Sequence, residues 1–269
     1  MKLSACIEWL FADETNDVAE RVHKAAECGL YGVEFHLWRD KPIRTVRKAL
    51  DETGLKLTSF CVDPRRSIVD RAQRTELLEA VRASMEPARE LGCNQLIIAS
   101  GFELEGVTRE AHFDLALESL AEAAQIATNN GVTLLLEPLN TRVDHPGMYL
   151  NSVSEGLDLV EAINSDGLRL VYDAYHSIVM GDDIHTLLQG RMNWVAHIQI
   201  ADMPGRGAPG TGEIDWDAVL SMLDQEGYEG AIGLEYKLNE LSTRSGLERA
   251  RQALHACSAC GAGASEPLS

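Results

Sequence analysis

Apolar and polar residues follow two rhythms that take turns from one end of the chain to the other. Short runs of apolar or β-branched residues occur at 3–7, 31–35, 56–62, 94–99, 132–136, 168–172, 194–200 and 230–234, each the length of a strand. Longer segments lie between them, such as 15–28, 73–91 and 110–129, with apolar residues at the three- and four-residue spacing of one helix face. A glycine precedes each strand after the first: Gly29, Gly54, Gly92, Gly131, Gly167, Gly190 and Gly227. Glycine can close a helix in the left-handed conformation without a Cβ clash, so these seven positions mark seven helix-to-strand joints. The pattern predicts eight βα units.

Strands and helices that alternate throughout imply a parallel sheet. Eight units without a break, and no G-x-G-x-x-G after the first strand, favour a closed (β/α)8 TIM barrel in one domain over an open doubly wound sheet. The barrel is expected to span 1–258, followed by a disordered tail at 259–269, "ACGAGASEPLS", whose composition supports no core. Long Gly- and Pro-containing loops follow the fifth strand ("NTRVDHPGMYLN") and the seventh ("DMPGRGAPGTGE"), whereas the return joints are short. That asymmetry predicts a site at the C-terminal face of the barrel.

Four strands end in an unexpected way. "VTLLLEPLN" closes its apolar run on Glu137, "LRLVYDAYH" on Asp173 and "GAIGLEYK" on Glu235, while "WVAHIQIAD" has Gln199 near its tip. Neighbouring strands of a sheet stand about 4.8 Å apart, so four consecutive ends can converge on one point. Taken singly, a carboxylate at a strand end usually caps a helix or satisfies a loop. Three clustered over an apolar barrel mouth carry an electrostatic cost that a bound cation relieves. All four side chains offer oxygen, which favours a hard ion, Mg²⁺ or Mn²⁺, over zinc. An octahedral ion held this way keeps open positions for two substrate oxygens and would stabilise the enediolate formed when an α-hydroxycarbonyl loses its α-proton. Glu137 and Glu235 could then remove and return that proton.

Composition narrows the alternatives. The 269 residues are 45% hydrophobic and 25% charged, ordinary for a globular chain, and the net charge of −18 disfavours nucleic acid and anionic membrane as partners. No run approaches the roughly 18 apolar residues of a membrane span, and "MKLSACIEWLFADETND" reads as a first strand without a signal-peptide cleavage site. A cytoplasmic location is expected. The six cysteines sit among apolar neighbours as reduced thiols do, and the lone "CSAC" of Cys257 to Cys260 has no second pair to complete a zinc site.

Together "LLLEPLNTRVDHPGMYL", "RLVYDAYH", "HIQIADMPGRGAPGTGEIDW" and "IGLEYK" resemble the hydroxypyruvate isomerase family, which belongs to the xylose-isomerase-like TIM barrels beside sugar epimerases and apurinic-site endonucleases. The resemblance covers nearly the whole chain. It implies one divalent ion, Mg²⁺ or Mn²⁺, held by Glu137, Asp173, Gln199 and Glu235, with Glu137 and Glu235 as the proton-transfer pair. It further implies interconversion of hydroxypyruvate and 2-hydroxy-3-oxopropanoate (tartronate semialdehyde). The alternative is a ketose or inosose 3-epimerase, or a related isomerase, on a larger neutral sugar or polyol. Those epimerases usually carry His where this chain has Gln199. "FHLWRDKP" and "CVDPRRSIVD", after strands two and three, differ among relatives and leave the substrate open. An endonuclease would need more His and Asp ligands and basic loops, and a non-catalytic sugar-binding protein would not need two opposed glutamates.

Substrate contacts are expected from His176, Arg206, His145 and Lys237. Arg206 stands between Gly205 and Gly207, which would let its loop fold over the mouth and present a fork to a carboxylate. Glu8 and His36 end strands one and two and are expected to line the pocket by position, Glu213 is expected to pin its loop or cap the next helix, and His197 to be a hydrogen-bonded core histidine. The partner is a small hydroxy-keto acid or sugar, and assembly into a homo-oligomer stays open.

Overall fold

The computed structural model describes residues 1–260, without the side chains of 184–185 and 255–260. Eight parallel strands close on themselves: β1 Lys2–Cys6, β2 Gly32–Glu34, β3 Lys56–Cys61, β4 Gln95–Ala99, β5 Thr133–Glu137, β6 Leu168–Asp173, β7 Val195–Ile200 and β8 Ala231–Leu234. Each pairs with the next, and β1 closes onto β8 with Ala5 opposite Leu234. The helices that cross back outside are α1 Val18–Glu27, α2 Ile43–Thr53, α3 Arg74–Leu91, α4 Arg109–Asn129, α5 Val153–Ile163, α6 Ala174–Met180, α7 Ile184–Leu187, α8 Trp216–Gln225 and α9 Thr243–Cys260. The expected (β/α)8 barrel is therefore the fold, with strand boundaries within two residues of those read from the pattern. Because α9 runs to Cys260, residues 259 and 260 extend the last helix. The rest of the expected tail, 261–269, and the side chains of Cys257 and Cys260 lie outside the described residues.

Two apolar layers follow from the two-residue period of a strand. Outward residues such as Phe60, Leu96, Leu134 and Leu170 pack beneath the helices in the main core. Inward residues Cys61, Ile97, Leu135 and Val171 form a separate plug inside the barrel, as in a packed TIM core. Two residues beyond Leu135 and Val171, on the same inward face, stand Glu137 and Asp173. The site is thus the polar top layer of the barrel interior.

Six of the seven joint glycines have φ between 66° and 74°, and Gly54 and Gly92 close α2 and α3 in the left-handed conformation. Gly167 serves another purpose. Asn164, at φ 44°, closes α5 in its place, and a Cβ on Gly167 would stand 2.2 Å from the Ala124 carbonyl oxygen. There glycine lets the α5–β6 joint press against α4.

Candidate active site

A cavity of about 580 Å³ opens at the C-terminal end of the barrel, lined by Glu137, Gln199, Glu235, Arg206, His36 and His176 among others, within the size range of small-molecule sites. Asp173 stands next to this lining: its carboxylate, that of Glu137 and the imidazole of His176 offer ligand atoms all within 4.8 Å of one another. The strand-end set is therefore brought together.

Each member is held by the local fold in its own way. Asp173 caps α6, its Oδ1 accepting from the Tyr175 and His176 amides at 2.8 and 3.2 Å, while its Oδ2 faces Arg206 Nη2 at 3.2 Å. Glu235 accepts from the same Nη2 at 2.9 Å through Oε2 and lies 2.7 Å from His36 Nε2 through Oε1. Gln199 Nε2 donates to Glu34 Oε1 at 3.1 Å, and Gln199 Oε1 is buried with no hydrogen-bond partner among the described residues. Glu137 has no hydrogen bond or ion pair to its carboxylate among the described residues. Two oxygens facing the site, one amide and one carboxylate, thus lack a donor. Glu137 is half-buried, whereas Gln199 Oε1 is fully buried, and buried polar oxygens rarely go unpaired.

The three carboxyls differ in proton affinity. Burial, then the like charges of Glu235 and Asp173, pushes Glu137 up to about 8. Burial also raises Asp173, to about 7, against the pull of Arg206. Burial acts upward on Glu235 too, but Arg206 and His36 outweigh it and hold the group down at about 2. His176 is kept well below the usual imidazole range by burial and by Arg206. The Asn140 amide donates to its Nδ1 at 3.2 Å, which leaves the proton on Nε2, 3.5 Å from Asp173 Oδ2. His176 therefore steadies Asp173 while lining the cavity.

Arg206 is buried, with Nη2 donating to Asp173 and Glu235 and Nε donating to the Glu235 carbonyl at 3.3 Å, while Nη1 lies 3.2 Å from His176 Nε2. Its guanidinium also lies over Trp9 and Tyr175, at 5.0 and 5.2 Å. The structure thus sets Arg206 against the carboxylates themselves, where the sequence suggested a fork reaching for substrate. His145 lines the cavity, its ring 5.4 Å from that of His176. Lys237 does not line it; its Nζ faces Asp144 Oδ1 at 3.5 Å and is half exposed. Glu8 is likewise turned away, paired with Lys41 at 2.8 Å. Asp215, not Glu213, caps α8.

Two residues were missed in the sequence. Glu34 is 1% exposed and receives His197 Nε2 at 2.7 Å, Ser59 Oγ at 3.1 Å and Gln199 Nε2. A Cβ on Gly233 would stand 2.5 Å from Glu34 Oε1, so glycine on β8 makes room for that carboxylate. His197 is the hydrogen-bonded core histidine expected. Asp202 is fully buried beyond β7 and accepts from the amides of Met203, Gly210, Thr211 and Ile214 and from Trp216 Nε1. Those five bonds organise the loop that delivers Arg206.

The residues fit a hard divalent ion: three carboxylates and an amide oxygen, two of the oxygens without protein donors. The family model of the xylose isomerase-like TIM barrels matches residues 22–260. The chain is 30% identical over 254 residues to the hydroxypyruvate isomerase of Escherichia coli (strain K12), covering 92% of this chain and 97% of that protein. It is 29% identical over 225 residues to the 2-oxo-tetronate isomerase of Cupriavidus necator, 81% of this chain and 86% of that one. The crystal structure of an AP endonuclease, family 2, from Brucella melitensis superposes with a TM-score of 0.84 at 30% identity, covering 91% of this chain and 96% of that one. The chain belongs to the hydroxypyruvate isomerase family of xylose isomerase-like TIM barrels, and it is an isomerase.

Proposed function

We propose that this isomerase is dependent on a divalent metal, Mg²⁺ or Mn²⁺, and interconverts hydroxypyruvate and 2-hydroxy-3-oxopropanoate, with Glu137 and Glu235 carrying the proton between adjacent carbons. The observation that carries the reading is that Gln199 Oε1 and the Glu137 carboxylate lack donors among the described residues, in a cavity that Glu235 also lines and with Asp173 within ligand distance of Glu137. Glu137, Asp173, Gln199 and Glu235 would hold the ion. When bound, it supplies positive charge to two substrate oxygens as the proton leaves carbon. One glutamate takes the proton from C3 of hydroxypyruvate, the C2 carbonyl becomes an enediol oxygen, and a proton returned to C2 leaves the aldehyde at C3. Glu235, held ionised by Arg206 and His36, and Glu137, pushed up by burial, have the unequal proton affinities that such a pair uses. His176 and Arg206 fix the carboxylates in place, and the plug of Ile97, Leu135 and Val171 keeps water from below.

An endonuclease reading fares worse. The candidate metal groups among the described residues contain one histidine each, and a chain of net charge −18 opposes a polyanion. A neutral ketose or inosose epimerase is the second reading, favoured by the cavity volume of about 580 Å³, which has room for a six-carbon sugar. Chelator-stripped and Mn²⁺-restored protein, assayed on hydroxypyruvate, 2-oxo-tetronate and neutral ketoses, separates the two. Activity on the acids should vanish on stripping and return with the metal. Full activity without metal would refute the metal dependence, and preference for neutral ketoses would put the epimerase first.

A further inference from the structure

Three arginines line the cavity: Arg65, Arg66 and Arg206. Arg206 is committed to the carboxylate cluster, Nη2 being held by Asp173 and Glu235 and Nε by the Glu235 carbonyl. Arg66 is tied to Glu76 Oε2 at 2.5 Å through Nε and to the Arg65 carbonyl at 2.9 Å through Nη1. Arg65 differs from both. Its only side-chain partner among the described residues is the Cys61 thiol, 3.8 Å from Nη2, a weak acceptor at long range. It has no ion pair there and is exposed to solvent. In a chain with 42 acidic and 24 basic residues, an arginine facing a cavity of carboxylates without a carboxylate of its own calls for a ligand.

We propose that Arg65 takes the carboxylate of the substrate and thereby selects hydroxy-keto acids over neutral ketoses of the same length. The proposal rests on the isomerase reading above and adds the residue that sets its substrate class. Charge balance supports it. Glu137, Asp173 and Glu235 carry three negative charges, which Arg206 and a divalent ion neutralise. A neutral substrate then needs no further cation, whereas an acid brings one unbalanced charge into a site of low dielectric. The neighbouring imidazole of His176 does not supply it, since its two nitrogens face Asp173 and the Asn140 amide. Arg65 can, through a planar fork that matches a carboxylate.

The arginine is also presented from a fixed place. It follows β3 by four residues, and its loop is pinned on both sides. Asp63 N donates to Ser84 Oγ at 3.3 Å and Asp63 Oδ2 accepts from the Arg39 amide at 2.9 Å, while Ile68 N donates to the Ser100 carbonyl at 2.9 Å. A loop held this way loses little freedom when ligand binds.

Hydroxypyruvate and dihydroxyacetone differ only in that a hydroxymethyl group replaces the carboxylate. With Mn²⁺-loaded protein, Arg65→Gln should raise KM for hydroxypyruvate roughly 10- to 100-fold with a smaller change in kcat, and Arg65→Lys should recover part of the loss. Turnover of dihydroxyacetone should fall by no more than about threefold. Calorimetric binding of D-glycerate, an unreactive acid of the same length, should weaken in parallel in Arg65→Gln, and this readout decides even if neither substrate turns over. Equal losses on acid and neutral substrate, or unchanged glycerate binding, overturn the role of Arg65. A wild-type protein that isomerises hydroxypyruvate while Arg65→Gln is unimpaired overturns that role alone. A wild-type protein that prefers dihydroxyacetone and binds glycerate no better than glycerol overturns the acid reading and Arg65 with it.

Discussion

Gln199 carries a donor at one end of its amide and an acceptor at the other, and Glu34 decides which way round they face. The carboxylate of Glu34 claims Nε2, so the oxygen is left as the candidate ligand. The same carboxylate holds His197 at 2.7 Å, with both side chains about 2% exposed. Glu34→Ala would free the amide to rotate and strand a buried imidazole. Mn²⁺ affinity measured by calorimetry should fall about 10- to 100-fold, with a lower melting temperature. Unchanged affinity would show that Glu34 does not orient the ligand. Nothing local in "YGVEFH" announces this role. Its partners His197 and Gln199 lie 163 and 165 residues away, and only barrel closure brings them to β2. Glu137, Asp173, Gln199 and Glu235 were legible because each sits two residues beyond an inward position of its own strand, a local signal. Arg65 was not, since "DPRR" looks like any charged turn until the partners of Arg66 and Arg206 are known.

At the scale of elements, periodicity and glycine placement were enough to derive eight βα units, because each unit repeats the same local physics: a strand, a half-buried helix, a left-handed stop. Gly167 shows the limit, since a glycine before a strand also arises from close packing, as it does against Ala124. Loop architecture was harder to read. "DMPGRGAPGTGE" was recognisable as long and glycine-rich, but what shapes it is the one buried carboxylate of Asp202 collecting five donors. Gly212 belongs to that arrangement, because a Cβ there would stand 2.2 Å from the Met203 carbonyl. The loop thereby inserts Arg206 deep against Asp173 and Glu235 instead of leaving it at the rim. Lys237, two residues beyond Glu235 and past the end of β8, leaves the site by turning its Nζ to Asp144.

For the whole molecule, the metal-free barrel stores the cost of its own site. The folded chain raises Glu137 from 4.5 to about 8 and Asp173 from 3.8 to about 7. A carboxyl whose folded value is raised stabilises the fold fully below its unfolded value and loses that contribution as pH rises through the folded one. Glu235, lowered to about 2, is already ionised in both states above its unfolded value and adds a constant term. Chelator-stripped protein should therefore lose stability between about pH 4 and 8, while the ion, which binds the deprotonated ligands, restores it. The gap in melting temperature between Mn²⁺-saturated and stripped protein should widen across that range by several degrees. A gap independent of pH would show that these carboxyls are not the ones the ion neutralises.

The central claim is that Glu137 and Glu235 move a carbon-bound proton, and deuterium tests it at the atom concerned. Hydroxypyruvate incubated in D₂O with Mn²⁺-loaded protein should exchange its C3 hydrogens, followed by proton NMR, well above the enzyme-free rate. Glu137→Gln and Glu235→Gln, with melting curves showing folded protein, should each slow this exchange by about 10²-fold or more. Wild-type exchange in either variant, or no enzyme-dependent exchange by the metal-loaded wild type, would contradict the account.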